Sequence, residues 1–363
     1  MTGRIVLFGA TGYTGGRTAE AMVGRGLAPV LAGRDPGRLR ALAERLGGLE
    51  TAAADVTDVG SVRALVGPED VLVTTVGPFA RLGGAALAAV VDAGAVYLDS
   101  TGEPPFLREV FELQGPAAAR TGARLLPAFG NDYVPGVLAG ALALREAGES
   151  AARVDVGYFV SGRGRLFSRG TLDSVLGIVG LPGYAFRNGA LRDEPAGVRL
   201  RTFAVGGKPR PAVTIGGLEQ FALPRLAPGL RTVDVHLGWF GPASGAVHAA
   251  GRLPTPPAVL GRVLGTLTAP VISRLPRDPA PEALAGARST FVGEAFDAGG
   301  TLLHRTVLTG PEPYAITADL LAWGAGRALE HGVTGTGALD PVAAFGLDVL
   351  VGGGAAAGIT RAG

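Results

Sequence analysis

The segment that most constrains this chain is its first. Arg4-Ile5-Val6-Leu7-Phe8 is a short run of strand type. It passes directly into Gly9-Ala10-Thr11-Gly12-Tyr13-Thr14-Gly15. A stretch of helical spacing follows, Gly16 to Arg25, with Ala19, Met22 and Val23 on its apolar side and Gly26 at its end. Strand, glycine-punctuated turn and helix in that order make a phosphate-binding unit. Glycine turns the backbone sharply and removes the Cβ that would keep a pyrophosphate away. The free N–H groups and the positive end of the helix dipole then attract the anion. A bare glycine pattern carries little weight, but here the flanking strand and helix supply the context the fingerprint needs. The spacing is Gly-x-x-Gly-x-x-Gly, and Gly9, Thr11, Gly12, Tyr13, Thr14 and Gly15 are the expected dinucleotide contacts.

The next segment bears on which dinucleotide. Ala28 to Gly33 reads as the second strand, followed by Arg34-Asp35-Pro36. In a dinucleotide fold the end of this strand meets the adenosine ribose. A carboxylate there accepts the 2′-hydroxyl of NAD, and an arginine accommodates the 2′-phosphate of NADP. Gly33 leaves room, and Arg34 offers a planar fork suited to phosphate. Arg38 and Arg40 follow on the next helix. The expected cofactor is NADP(H). The competing assignment gives the ribose to Asp35 and leaves Arg34 solvated.

Strand and helix continue to alternate. Leu49–Ala54, Asp70–Thr75, Ala95–Asp99 and Ala123–Pro127 read as strands, with helices at Ser61–Val66 and Arg81–Ala93. Asp70–Thr75 is nearly continuous in apolar residues, as in a parallel strand covered on both faces. The pattern predicts an α/β fold: a doubly wound parallel Rossmann-type sheet with ligands at the carboxyl ends of its strands. After about Gly148 the pattern changes. Val154–Val160, Gly197–Val205, Thr232–Phe240 and Thr301–Thr309 read as strands. The alternation within Val198–Phe203 and Thr232–Leu237 predicts antiparallel strands with one wet face. Helices are expected at Thr171–Val179 and Ala315–His331. The expected organisation is an NADP-binding domain over 1–132, a second α+β domain with a mainly antiparallel sheet over 133–310, and C-terminal helices over 311–363 that pack back on the first domain.

Composition excludes several functions. The 363 residues are 47% hydrophobic and 18% charged, enough for a sizeable core. The net charge is only +2, there is one lysine (Lys208), and no basic stripe is interleaved with aromatics, so nucleic acid is not an expected partner. With no cysteine, disulfides, thiolate metal sites and cysteine nucleophiles are excluded. His236, His248, His304 and His331 lie far apart, and no metal is expected. No charged-then-apolar leader precedes the first strand, and the Leu253–Ile272 stretch is broken by prolines and Arg262. No signal peptide or transmembrane segment is expected, which implies a cytoplasmic protein. The region from Arg252 to Pro281 reads as a loop-rich excursion.

Further site residues follow from the strand ends. Asp55 lies where an adenine ring would sit, and also where a helix N-cap would. Val76-Gly77-Pro78 makes a rigid turn that lets backbone approach the second ribose and the nicotinamide, or serves only as a turn. Phe79, Glu103, Asn131 and Tyr133 are the expected substrate-site residues. Glu103 also suits a helix N-terminus, and Asp132 reads best as a cap for the helix starting near Val134. Tyr133 is the candidate proton or hydrogen-bond donor. No tyrosine has a lysine four residues later, which removes the tyrosine–lysine mechanism of many short-chain reductases. Nor is there a Gly-x-Ser-x-Gly elbow for a hydrolase.

Several stretches together resemble the saccharopine dehydrogenase-like NAD(P)-binding oxidoreductases, and among them the bacterial trans-acting enoyl reductases. These are Gly9–Gly16, Leu31-Ala-Gly-Arg-Asp35, Val76-Gly-Pro-Phe79, Tyr97–Glu103 and Ser168-Arg-Gly-Thr171 with Ser174. The likeness is strongest to about residue 140. Where that family often has Gly-Phe-Asp-Ser-Val-Pro, this chain has Gly130-Asn-Asp-Tyr-Val-Pro135, so Asn131 and Tyr133 depart from the pattern. The resemblance implies hydride delivery to a C=C, C=N or C=O bond of a small or carrier-bound metabolite. The alternative is a non-catalytic NADP(H)-binding sensor, or a scaffold or partner protein of a biosynthetic assembly. A homodimer is a further expected assembly.

Overall fold

The computed structural model describes residues 3–164, 166–168, 182–252, 274, 276 and 278–362. The expected Thr171–Val179 helix, the Arg169–Thr171 and Ser174 portion of the family motif and the Leu253–Ile272 stretch lie outside the described residues. The chain forms two compact units. The first comprises Met1–Gly102, Phe106–Val134 and Tyr314–Gly358, and the second Glu103–Pro105, Pro135–Pro313 and Ile359–Gly363.

The first unit is built on a parallel sheet of seven strands: β1 (Ile5–Phe8), β2 (Val30–Gly33), β3 (Thr51–Ala53), β4 (Val71–Thr74), β5 (Val96–Asp99), β6 (Arg124–Leu126) and β15 (Gly337–Ala338). Their order is β15-β6-β5-β4-β1-β2-β3. This is a doubly wound, Rossmann-type sheet. Strand order reverses between β1 and β4, which pair in register from Ile5↔Val71 to Phe8↔Thr74. A crevice therefore opens at the carboxyl ends of these two strands. Ile-Val-Leu-Phe and Val-Leu-Val-Thr are buried on both faces because helices cover both. On one side Val6, Phe8, Leu72, Tyr97 and Leu125 pack with Val62, Leu87 and Val90 from helices. On the other, Phe129 stacks on Trp323 of the Pro313–His331 helix, ring centroids 6.2 Å apart. Full burial of such a side chain stabilises by roughly 1.5–3 kcal/mol. The last strand, β15, adds parallel to β6, so residues from the end of the sequence complete a sheet begun at its start.

The second unit carries a mixed sheet, β10 (Leu200–Val205), β11 (Lys208–Ile215), β12 (Thr232–Leu237), β7 (Arg153–Ser161), β13 (Arg288–Phe296), β14 (Leu302–Gly310) and β16 (Thr360–Arg361), in that order. The β8 (Tyr184–Arg187) and β9 (Ala190–Asp193) hairpin attaches to β12. One expectation for β12 holds in part and one is corrected. It is antiparallel to β11 and β8, as expected, and parallel to β7, Thr232↔Arg153 through Leu237↔Tyr158. It also has no wet face, since Val233 to Leu237 are all buried. The reason is the curl of the β10–β11 hairpin over its polar side. Phe203 of β10 reaches Phe159 of β7 and the His236 ring of β12, and Arg201 spans to Asp155 of β7 and Glu294 of β13. The opposite face packs on the Val134–Ala147 helix through small residues. A Cβ on Gly293 would lie 2.4 Å from the Ala139 carbonyl oxygen, so glycine is required there.

Candidate functional site

The glycine turn leaves the end of β1, and its three glycines answer to different constraints. Gly9 has φ +91°, in the left-handed region that favours glycine. A Cβ on Gly15 would lie 2.1 Å from the Gly9 carbonyl oxygen, so helix α1 (Tyr13–Gly24) presses directly on the turn. Gly12 differs. Its φ of −78° suits any residue, it is exposed, and a Cβ there meets only the Gly9 oxygen at 3.3 Å. The protein's own packing asks little of Gly12; an object approaching from outside would ask more.

The start of α1 is consistent with such an object. Gly12 is its N-cap, and no side chain caps it. Helices α2 (Pro36–Arg45) and α3 (Val59–Arg63) of the same unit are each capped by a carboxylate, Asp35 and Asp58, that accepts from two backbone N–H groups. The first turn of α1 contains no acidic residue, so no carboxylate of its own offsets the helix dipole at the glycine turn. Tyr13 packs edge-on against Tyr314, centroids 5.0 Å apart, and Thr14 accepts a hydrogen bond from the Thr18 hydroxyl through its carbonyl.

At the end of β2, Asp35 spends its Oδ1 on the backbone N–H groups of Gly37 (2.9 Å) and Arg38 (3.0 Å). Arg34 is exposed and makes no hydrogen bond or ion pair among the described residues. Arg38 donates to the Thr11 carbonyl at 2.8 Å, joining this strand end to the glycine turn. A Cβ on Gly33 would meet only ordinary contacts, Leu39 at 3.7 Å and Thr11 Oγ1 at 3.8 Å, so the space beside it is open. Asp55 is not the helix cap; Asp58 is. Asp55 instead accepts from the Thr57 N–H and hydroxyl, which hold it below the usual carboxylate range. After β4, the Val76 N–H donates to the Thr74 hydroxyl, and Gly77 and Pro78 are exposed with a cis peptide between them.

The expected substrate-site residues divide. Phe79 is buried against Phe106, centroids 5.7 Å apart, and Glu103 is buried and groups with the second unit. Asn131, Asp132 and Tyr133 come together after β6, beside the turn that follows β5. Asp99 at the end of β5 fixes this turn by accepting from the Thr101 N–H and the Ala128 N–H, both at 2.8 Å. The buried Tyr133 hydroxyl donates to the Gly102 carbonyl at 3.1 Å. The Asn131 N–H donates to the Thr317 hydroxyl at 3.1 Å. Its side-chain amide donates to Asp132 Oδ1 at 2.9 Å, while its own Oδ1 is buried without a hydrogen-bond partner among the described residues.

Asp132 corrects the expectation of a helix cap. No backbone N–H donates to it among the described residues; its one hydrogen bond is from Asn131. A Cβ on Gly102 would come within 3.0 Å of its Oδ2, so the turn passes close to the carboxyl. Desolvation, only partly offset by the Asn131 amide, pushes its pKa up to about 6. Among the described residues no group of three or more His, Asp or Glu side chains could hold a metal ion, and no helix is long and apolar enough to cross a membrane.

A parallel sheet that reverses order, with a glycine turn at its switch point, is the arrangement of the Rossmann-type fold class. Comparison with known proteins narrows the class. In fold, the chain is similar to saccharopine dehydrogenase (L-Glu forming) from Saccharomyces cerevisiae, with a TM-score of 0.61, 13% identity and 96% of each chain covered. In sequence, it is 39% identical over 185 residues to a Mycobacterium tuberculosis protein provisionally named a trans-acting enoyl reductase, covering 48% of this chain and 44% of that one. It is 39% identical over 137 residues to the trans-acting enoyl reductase of Mycobacterium ulcerans, covering 36% of this chain and 33% of that one. The matched segment thus spans less than half the length of these relatives. No family model matches the chain. These similarities bear out the resemblance drawn from the motifs.

Proposed function

We infer that this protein is an NADPH-dependent reductase. The observation that carries the reading is Gly12: exposed, in an ordinary backbone conformation, and at the head of a helix that no side chain caps. A pyrophosphate on the N–H groups of Thr14 and Gly15 accounts for both features. Arg34 is the candidate contact for the 2′-phosphate, with Asp35 already spent as a cap. Val76, Gly77 and Pro78 border the path toward the nicotinamide, and Asp55 the adenine end. Bound along this edge, the reduced cofactor supplies hydride; the protein supplies orientation and electrostatics.

The acceptor is a C=C, C=N or C=O bond. The relatives' name, an enoyl reductase acting in trans, supports a conjugated C=C on a substrate presented by another protein or carrier. Tyr133, the residue expected as proton or hydrogen-bond donor, directs its hydroxyl to the Gly102 carbonyl at the edge of this site and so supports the turn there. Titration of wild type and Arg34→Ala with NADPH and NADH tests the cofactor assignment. A charge-assisted hydrogen bond contributes about 1.5–3 kcal/mol, so NADPH affinity should fall roughly ten- to a hundredfold with NADH affinity nearly unchanged. Equal losses for both would remove Arg34 from the phosphate site.

A further inference from the structure

Asp132 has less support than the helix-capping and fully buried aspartates of the first unit. Asp35, Asp58 and Asp340 each accept two backbone N–H groups at a helix start. Asp99 accepts two across a turn. Asp70 accepts from the N–H groups of Arg4 and Gly67 and pairs with the Arg4 guanidinium. Asp132 has neither a backbone donor nor a cation among the described residues, and it stands at the carboxyl edge of the parallel sheet, where ligands of this fold class bind. A carboxyl held only for packing gains by acquiring such partners. One kept from them and half-withdrawn from water stays available to hold a proton near neutral pH.

We propose that Asp132 is the proton donor of the reduction, with Asn131 the positioning residue that orients its carboxyl through Oδ1. This assignment rests on the reductase reading above. In the step, hydride adds to one carbon of the substrate's conjugated double bond. The π pair shifts to leave an enolate. The Asp132 O–H bond breaks as its proton bonds to the α-carbon, and water returns a proton to the carboxylate. The cofactor loses two electrons and the substrate gains them. Oδ2 is the oxygen left for this role, because Oδ1 takes the Asn131 amide. Asp99 and Glu103, on the segment leaving β5, are the other carboxylates of the adjoining turn. No charged neighbour contributes to the upward shift of Asp132, so the effect is one of desolvation.

Two readouts separate this proposal from the reading it rests on. The first needs no cofactor. Carbon-13 NMR of the full chain labelled at aspartate, with the Asp132 signal assigned by its loss in Asp132→Asn and confirmed with Asp132→Glu, follows the carboxyl titration. The proposal expects a midpoint near 6, moving upward in Asn131→Leu because the hydrogen bond to the charged form is lost. A midpoint in the ordinary range near 4 overturns it. The second is NADPH oxidation with a crotonyl thioester as probe. Asp132→Asn should lower kcat by roughly 10²–10⁴ with KM and NADPH affinity little changed, and should abolish the decline of rate above the carboxyl's pKa. A fall of only a fewfold overturns the proposal. Failure of wild type to bind NADPH would instead overturn the reductase reading, and the titration would still judge Asp132.

Discussion

The sheet of the second unit and the carboxyl edge of the first use their charged side chains differently. On the polar face of the second sheet the charges are matched. Arg201 pairs with Asp155 and Glu294, Arg305 with Glu294, and Arg187 and Arg199 with Asp234 and Glu194. The β10–β11 hairpin folds over them, and the array joins hairpin to sheet. At the carboxyl edge of the first sheet several polar groups are less closely matched among the described residues: the start of α1 has no side-chain cap, Arg34 no ion pair, Asn131 Oδ1 no donor and Asp132 no cation. Density of charge therefore does not mark the site. The charges of the second unit's sheet are drawn into ion pairs that join its strands, and charge paired in that way is architecture. Unsatisfied polar groups at a strand edge are what a ligand can complete.

The comparison breaks if the second unit's array proves dispensable. Arg201→Ala leaves Asp155, only 5% exposed and already raised to about 6 by desolvation, without its main partner. Arg201 itself is 28% exposed. The loss should sit at the lower end of what breaking a buried ion pair costs, about 3 kcal/mol, read by urea unfolding. NADPH affinity should stay within twofold of wild type. A variant as stable as wild type would make this array surface decoration.

A smaller effect sharpens the same contrast through pH. His236 sits beneath the hairpin beside Phe203, and desolvation pushes its pKa down to about 4. The unfolded chain then binds more protons between pH 4 and 6.5, so this group adds stability that is present above 6.5 and lost as pH falls toward 4. Asp155 works in the opposite sense, since its raised pKa favours the folded state on acidification below about 6. Wild type will show the sum of the two. The stability advantage of wild type over His236→Asn should shrink on going from pH 7 to 4, by up to about 3 kcal/mol. A difference independent of pH would mean that His236 is solvated.

Much of the first unit was legible in the sequence because its signals are local. Apolar runs such as Val71–Val73, bounded by turn residues, read as strands buried on both faces, and the glycine turn sits between a strand and a helix in sequence as in space. The second unit was less legible because its burial is set over long range. Thr232–Leu237 alternates as a half-wet strand does, yet a hairpin some thirty residues upstream roofs its polar side. Strand β13, Arg288–Phe296, and the β8–β9 hairpin carry no clean local strand signal, although β13 lies between β7 and β14. At the site, Asp55 and Asp132 both resemble caps by position. Only the structure shows that Asp58 takes the first role and that Asp132 has no N–H to accept. Asn131 and Tyr133 were visible as departures from the family pattern. What they do to Asp132 depends on Gly102 and Thr317, which lie far off in sequence.

The most direct test of the account is equilibrium binding of NADPH to wild type and to Gly12→Val, followed by cofactor fluorescence, with thermal unfolding measured alongside. Gly12 has an ordinary φ, and an added Cβ meets one oxygen at 3.3 Å. The variant should therefore fold, losing no more than about 1 kcal/mol. The branched side chain should stand where the pyrophosphate sits and weaken NADPH at least about a hundredfold. A folded Gly12→Val that binds NADPH as wild type does, or a wild type that binds neither NADPH nor NADH, would contradict the claim that this edge is a dinucleotide site.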